Sequence, residues 1–209
     1  MSEAVQRRSY GGFTSEERDA HRRQRLLAAA KEIIGTAGYA ATTIPGVCSA
    51  ANVSTRTFYE LYATKEDLFI DLYDTITADS YTRVAESLEA TAGAPLAERI
   101  PAALMAYLDP MLKDPRVARI AFVEIMGASP RIEKLRLAYR ETLIEVVRTE
   151  GTVAVNNGEV ADRDWRFAAL GLVGAVTAIV YDWALRGRRP SRRVLEDRLS
   201  ELALSLLVR

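Results

Sequence analysis

Apolar residues recur along most of the chain every three to four positions, the spacing of one face of an α-helix. The first such run contains Leu26, Leu27, Ala30, Ile33 and Ile34. No segment alternates apolar and polar residues with a period of two between turn signals. The pattern therefore predicts an all-α protein without a sheet.

Capping residues divide the first ninety positions into four predicted helices. A side-chain oxygen just before each helix can accept a hydrogen bond from an unpaired first-turn amide. The helices are predicted near 15–37, 44–51, 55–62 and 65–90, and their capping residues are Thr14, Thr43, Ser54 and Thr64. Gly38 and Asn52 follow the first and second helices, where a left-handed residue commonly ends a helix.

Proline and glycine signals predict five more helices in the rest of the chain. They are expected near 95–108, 115–127, 130–149, 162–187 and 191–209. A loop rich in Gly and Asn is expected from Gly151 to Gly158. The prediction is about nine helices: a three-helix head at 14–72, a helical bundle at 73–209, and a flexible arm at 1–13.

Charge is distributed unevenly, although the chain as a whole has a formal net charge of zero. Residues 1–65 carry three more basic than acidic side chains, and the remaining residues carry three more acidic than basic ones. A mildly basic head on a mildly acidic body fits a module that contacts phosphates.

Two short capped helices joined by Ala51-Asn52-Val53-Ser54 predict a helix-turn-helix near the N-terminus. An apolar wedge is expected to fix the angle between the two helices, formed by Val47, Val53, Phe58 and Leu61. The second helix can then enter a major groove of DNA, with its N-terminal residues facing the base edges.

Several short strings occur at a specific spacing within residues 38–68. They are Gly38-Tyr39, Thr42-Thr43-Ile44, Ala51-Asn52-Val53-Ser54, Thr57-Phe58-Tyr59, Tyr62 and Thr64-Lys65-Glu66-Asp67-Leu68. At this spacing the segment resembles the DNA-binding domain of the TetR (tetracycline-repressor-like) family. Departures from the family pattern occur at Pro45-Gly46, Cys48, Asn52 and Leu61, and none of them removes the motif.

The resemblance implies a ligand-responsive, homodimeric transcription regulator, expected to be a repressor, that binds palindromic double-stranded operator DNA. By position, Thr43, Tyr59 and Lys65 would contact phosphates, Thr55, Arg56 and Thr57 would face the bases, and Ser54 completes the predicted DNA-binding set. Hydroxyl, phenol and ammonium groups are common phosphate donors, and Arg is the commonest specific partner of guanine. Two alternatives stay open: Lys65 can cap the chain locally, and Tyr59 can pack against the first helix.

The bundle is expected to hold a small, largely apolar effector. Aromatic and Met side chains at helical spacing are candidates for lining its cavity, and ordinary core packing is the alternative. The candidates are Tyr107, Phe122, Met126, Tyr139 and Trp183. Glu124 lies between apolar neighbours and is either a ligand-reading carboxylate or a structural one.

The last two helices are expected to form a homodimer interface. Leu195, Leu199, Leu202 and Leu206 fall on one face of the last helix, and Gly171, Gly174, Ala175 and Ala178 would let another helix approach the preceding one. Two such helices from each subunit can build a four-helix interface. Packing within one subunit is the alternative.

The sequence gives little support to other classes of function. The single His21 and the single Cys48 lie in different predicted helices, so we expect no metal site, no cofactor and no intrachain disulfide. Catalytic residues are not expected, because a nucleophile motif, a clustered acid–base set and a phosphate-binding Gly loop are missing. A constitutive helix-turn-helix protein and a helical enzyme remain the alternatives to a ligand-responsive regulator.

The sequence also favours a cytoplasmic protein that is not inserted in a membrane. The N-terminus lacks a signal-peptide pattern. The most apolar run, Phe167–Tyr181, is shorter than the ~18 residues that a membrane-spanning helix needs.

Overall fold

The computed structural model describes residues 14–186 and 190–208 of the chain. The arm expected at 1–13 and the predicted end of a helix at 187 lie outside the described residues. Within those ranges the chain forms nine α-helices and one π-helical segment, without a strand. They are α1 Ser15–Ala37, α2 Ile44–Ala51, α3 Thr55–Leu61, α4 Lys65–Ala90, α5 Leu96–Leu112, α6 Pro115–Arg119, the π-segment Ile120–Glu124, α7 Pro130–Asn156, α8 Trp165–Leu185 and α9 Arg192–Leu207. The predicted all-α architecture is confirmed.

Side-chain caps place most of the helix starts where the sequence predicts them, although α5 begins after Pro95 without a side-chain cap and α8 begins after Asp164 rather than at Asp162. The Thr64 hydroxyl accepts a hydrogen bond from the Asp67 amide, and the Asp67 carboxylate accepts one from the Thr64 amide, which is a complete capping box. Thr14 and Glu17 make the same reciprocal pair at the start of α1. Asn52 ends α2 in the left-handed conformation, with φ of 49° and ψ of 50°.

The head and the bundle share α4, which continues past residue 72 without interruption. The core of the head contains Leu26, Phe58 and Phe69, all fully buried. In the bundle α4 packs along α5, α7 packs against α8, and α9 packs against α5 and α8. Helix α1 also contacts α6 and the π-segment, so the head rests on the bundle at a second place besides α4.

Three helices differ from their predicted extents. Helix α5 continues through Pro110 to Leu112, because Leu108, Met111 and Leu112 are buried in the core and packing outweighs the hydrogen bond that proline removes. The helix predicted over 115–127 is α-helical only to Arg119 and continues as the π-segment. The prediction of a loop that begins at Gly151 is wrong, because α7 continues to Asn156.

Helix α8 is longer than the apolar run identified in the sequence. It has 21 residues and, by length and composition alone, is apolar enough to cross a membrane. Only 33% of its most apolar window is buried within the chain. One such helix is weak evidence for a membrane, because a helix that packs in a protein core or interface passes the same test. The exposed part of α8 is an apolar face that needs another explanation.

Candidate DNA-binding surface and effector cavity

Helix α3 presents a polar face on a buried apolar base. Phe58 is fully buried and contacts the rings of Tyr59 and Tyr62. On the opposite side Thr55, Arg56 and Tyr59 are exposed, and 57% of the Tyr59 surface is accessible. Thr43 and Ser54 are exposed as well, whereas Thr57 and Lys65 are half-buried. The predicted DNA-binding residues therefore lie at or near one surface, around α3 and the start of α2.

Hydrogen bonds fix the start of α3. The Ser54 hydroxyl accepts a hydrogen bond from the Thr57 amide at 3.1 Å, and the two hydroxyl oxygens lie 2.9 Å apart. The Arg56 side chain is 90% exposed and donates to Glu60 on the same helix at 3.2 Å. An exposed pair of this kind contributes little free energy, so the Arg56 guanidinium is available to another partner at small cost.

The ammonium of Lys65 is engaged inside the head. It donates to the carbonyl oxygens of Tyr39 and Thr42, both at 2.9 Å, and lies 4.3 Å from the centre of the Tyr39 ring. The structure thus favours the local role that the sequence left open for Lys65. A phosphate contact from this ammonium stays a prediction. In the structure the two hydrogen bonds from Lys65 hold the loop that leads into Thr43.

Two contacts from α1 hold the helix-turn-helix in place. Arg25 donates to the carbonyl oxygen of Asn52 in the turn. The carboxylate of Asp71 on α4 accepts hydrogen bonds from Arg23 and from the Tyr62 phenol. Burial acts to raise the pKa of Asp71, but the hydrogen bonds from Arg23 and Tyr62 bring that pKa below its usual value. The carboxylate is therefore charged at neutral pH and joins α1, α3 and α4.

The bundle contains an apolar cavity that is partly open to solvent. It is bounded by α4, α5, the π-segment, α7 and α8, and its lining residues are Val84, Leu88, Ile100, Ala103, Leu104, Tyr107, Phe122, Leu143, Val146, Val147, Glu150, Leu172, Val173, Val176 and Thr177.

Four of the five residues predicted to line an effector cavity do line this region. Tyr107 and Phe122 belong to the cavity wall, and Met126 and Tyr139 line an adjoining space. Burial raises the pKa of Tyr107 well above its ordinary value, so this phenol stays protonated. Trp183 is not brought there: it is buried elsewhere in the core, and its indole N–H donates to the Pro190 carbonyl at 2.9 Å.

Sequence reasoning missed most of the cavity wall. Aliphatic residues of a buried helix give no sign of whether they face a void or a neighbour. One pattern held a usable signal: Arg136, Arg140, Leu143, Val147 and Glu150 follow one another at steps of four or three along α7. That spacing places two cations and one carboxylate on a single, otherwise apolar helix face.

Glu124 links the bundle to the head. Its carboxylate accepts a hydrogen bond from the Tyr39 amide at 2.8 Å and one from Arg119 at 2.8 Å. Arg119 in turn donates to the carbonyl oxygen of Thr36, near the end of α1. The carboxylate is thus structural, which is one of the two roles that the sequence left open. It lies two residues from Phe122, which lines the cavity.

The exposed apolar face of the bundle lies on α8 more than on α9. Leu195 and Leu199 are buried within the chain, so the first half of the predicted leucine stripe packs in one subunit. On α8 the side chain of Phe167 is 74% exposed, and a Cβ added at Gly171 or Gly174 would meet nothing within 4 Å. Within the described ranges, no group of three or more His, Cys, Asp or Glu side chains is placed to hold a metal ion.

Residues 26–72 match the model of a family described as bacterial regulatory proteins, tetR family. The chain is 24% identical, over 166 residues, to an uncharacterized HTH-type transcriptional regulator, YhgD, of Bacillus subtilis; the match covers 78% of this chain and 84% of that protein.

Solved structures share the fold over most of the chain. The transcriptional regulator FadR from Bacillus subtilis in complex with stearoyl-CoA superposes with a TM-score of 0.77 at 18% identity, over 87% of this chain and 97% of that one. AibR in complex with isovaleryl coenzyme A and operator DNA superposes with a TM-score of 0.68 at 15% identity, over 90% and 98%.

Proposed function

Because this chain is a transcription regulator of the TetR family, with the family's helix-turn-helix domain at its N-terminus, we propose that it is a ligand-responsive, homodimeric repressor. Two copies of α3 bind the two halves of a palindromic operator in the cytoplasm, and a small apolar effector in the bundle releases the DNA. One observation carries the proposal: the same chain holds an exposed polar recognition helix and an apolar cavity inside its helical bundle.

Dimerisation through the exposed face of α8 follows from how operators are read. A single helix-turn-helix contacts few base pairs, and a two-fold dimer reads two half-sites about one helical turn apart. The exposed face of α8 is apolar and includes two glycines with open space above them, which supports close helix–helix contact with a second copy. We place the boundary between the head and the dimerising bundle within α4, near Leu72.

We propose an acyl thioester of coenzyme A as the class of effector. The FadR structure contains stearoyl-CoA, and the AibR structure contains isovaleryl coenzyme A. The cavity wall fits an acyl chain, because nearly all of its side chains are aliphatic or aromatic. A constitutive DNA-binding protein would need no such cavity in its dimerising domain.

The proposed coupling between the two sites runs through the π-segment. Phe122 contacts the cavity, and Glu124 binds the amide that follows the end of α1. A π-helical turn inserts an extra residue and is strained relative to an α-helix. An acyl chain that displaces Phe122 would shift Glu124, and the head would rotate away from the operator spacing. The effector must bind this second state more tightly in order to populate it.

Selection of DNA from a random pool tests the proposed function. The expected product is an inverted repeat with half-sites about one or two helical turns apart, on the order of 10 or 20 base pairs between centres. Adding dodecanoyl-CoA to the purified complex is expected to release the DNA. Recovery of no common sequence at low salt would show that the chain is not an operator-binding regulator.

Tyr59→Ala and Arg56→Ala are expected to weaken operator binding in different ways. Loss of the Tyr59 phenol removes a phosphate contact, so binding falls by a similar factor for all sequences. Loss of Arg56 removes a base contact worth about 1–3 kcal/mol and relaxes the preference at one position of each half-site. Fluorescence anisotropy with the selected operator and point-mutated operators distinguishes the two effects.

Arg148→Ala is the matched control for this pair. Arg148 is also an exposed arginine paired with a glutamate on its own helix, but it lies on α7 in the bundle. It is expected to bind every operator as the wild type does. If Tyr59→Ala and Arg56→Ala also behave like the wild type, α3 is not the recognition helix.

Glu124→Ala is expected to uncouple the cavity from the head. The variant loses the hydrogen bonds from the Tyr39 amide and Arg119. Allosteric coupling is commonly worth about 1–3 kcal/mol, a factor of roughly 5–150 in affinity. Dodecanoyl-CoA is expected to weaken operator binding in the wild type by a factor in this range. In Glu124→Ala we expect that factor to be at least threefold smaller, because the variant lacks the link between the cavity and the head.

Glu145→Ala serves as the control for Glu124→Ala. Glu145 pairs with Arg148 at the surface of α7 and does not contact the head. Both variants are titrated with the operator, with and without dodecanoyl-CoA. A Glu124→Ala protein with the wild-type ratio of affinities would exclude the π-segment as the route of coupling.

A further inference from the structure

Two further spaces adjoin the apolar cavity, and the three together are called the channel. A second space shares five wall residues with it: Tyr107, Phe122, Leu143, Val173 and Thr177. An outer space shares Met126, Arg136, Arg140 and Thr177 with the second one. The outer space is bounded by Gly174, Ala178 and Tyr181 of α8. The three spaces therefore lead from the surface near α8 into the middle of the bundle.

The charged side chains are placed asymmetrically along this channel. Arg136 and Arg140 line both the second and the outer space, and among the described residues no acidic side chain lines either of them. Within residues 14–186 and 190–208, Glu150 is the one charged residue on the inner wall, and it accepts a hydrogen bond from the buried Arg99 at 2.9 Å. Arg140 and Glu150 are ten residues apart on α7, a distance of roughly 15 Å along the helix axis.

Arg140 has an unused donor at the point where the channel becomes apolar. Its Nε atom is buried and has no hydrogen-bond partner in the part of the chain that the structure describes. Arg136, one turn away, is instead paired with Glu133 through two hydrogen bonds, the one from Nε at 2.9 Å. The nearby carboxylate of Asp74 accepts from the Tyr139 phenol. A buried guanidinium donor without an acceptor is costly, and an anionic ligand would supply the missing acceptor.

We propose that Arg140, assisted by Arg136, binds the anionic end of an amphiphile whose apolar chain extends along α7 toward Glu150. This proposal rests on the proposed function for the existence of a ligand. It adds the charge of the ligand, the orientation of the ligand and the residues that bind it. A carboxylate and the phosphates of a coenzyme A thioester present the same chemistry to a guanidinium. The inner wall offers an anion no free cation among the described residues, since its charged residue, Glu150, is a carboxylate paired with Arg99.

The position of the outer space also connects the ligand to assembly. Gly174 and Ala178 bound the outer space and lie on the exposed face of α8. If a second copy covers that face, it closes the remaining side of the channel mouth. A charged group at Arg140 then lies next to the dimer interface, where a small change in the α8 pair alters the distance between the two heads.

Calorimetric titration with three ligands of equal chain length tests the proposal: dodecanoate, dodecanoyl-CoA and 1-dodecanol. The wild type is expected to bind at least one of the two anions roughly 10- to 100-fold more tightly than the alcohol, the range for a hydrogen bond to a charged group. In Arg140→Gln this preference is expected to fall to within about threefold, because the amide keeps the shape but loses the charge. Comparison of dodecanoate with dodecanoyl-CoA shows which anion the site reads.

Arg148→Gln on the exposed side of α7 is the matched control and is expected to keep the wild-type preference. The proposal is overturned if the alcohol binds the wild type as tightly as both anions do, if Arg140→Gln weakens all three ligands equally, or if none of the three binds. Operator binding is measured on the same preparations without ligand. A protein that binds its operator but shows no anion preference refutes this inference alone, whereas one that binds no operator refutes the proposed function.

Discussion

Gly151→Ala is expected to lower the midpoint of thermal unfolding by about 4–8 °C, the shift for ~2 kcal/mol in a chain of this size. The added Cβ would lie 2.1 Å from a ring carbon of Trp165, which is buried at the start of α8. Overpacking of this kind costs up to about 3 kcal/mol, and the higher helix propensity of Ala returns about 1 kcal/mol. Circular dichroism at one fixed protein concentration measures the midpoint.

Gly171→Ala is the matched control, because Gly171 also lies inside a helix but a Cβ there meets nothing within 4 Å. Its midpoint is expected to stay level or rise. A double variant with Trp165→Leu separates the clash from other causes: Gly151→Ala is expected to cost less when the indole ring is absent. An unchanged midpoint in Gly151→Ala alone would show that α7 and α8 do not approach each other as closely as described.

Gly151 also shows a limit of structure prediction from local sequence. A glycine followed by asparagines within eight residues has the composition of a loop, and a loop was the prediction. In the fold this glycine is needed for a tertiary contact with Trp165, fourteen positions later in the chain. No local rule contains that partner. Most helix starts were predictable for the opposite reason, since they are decided by a cap such as Thr43 or Ser54 within three residues.

The two candidate sites also differ in how far the sequence could predict them. The surface around α3 was predictable, because its geometry depends on two capped helices and the left-handed Asn52 between them. The cavity was predictable only in part, since its wall comes from five elements that are distant in sequence. The local role of Lys65 and the link made by Glu124 depend on backbone atoms of the loop after α1, whose position follows from the packing of α1 on the bundle. Side-chain type alone identifies a cation or a carboxylate but not its acceptor or donor.

Gly171→Arg is expected to convert the proposed dimer into a folded monomer and to lower operator affinity at least 100-fold. The side chain has room in one subunit, because nothing lies within 4 Å of the Gly171 Cβ position. In the proposed interface the charge would be buried against the same face of a second copy, and two-fold symmetry places it there twice. An uncompensated buried charge costs about 3–5 kcal/mol, which corresponds to a factor of 100 or more in a dissociation constant.

Sedimentation velocity and operator titration of the same samples separate the two parts of this expectation. Gly171→Ala is expected to stay dimeric and to bind the operator as the wild type does, since Ala still permits close helix packing. A dimeric Gly171→Arg protein would place the interface away from the α8 face and leave the exposure of Phe167 unexplained. A monomeric Gly171→Arg protein that binds the operator as tightly as the wild type would remove the need for two heads. The combined loss of dimer and DNA binding is expected because each head alone offers only the short exposed face of α3 to the bases.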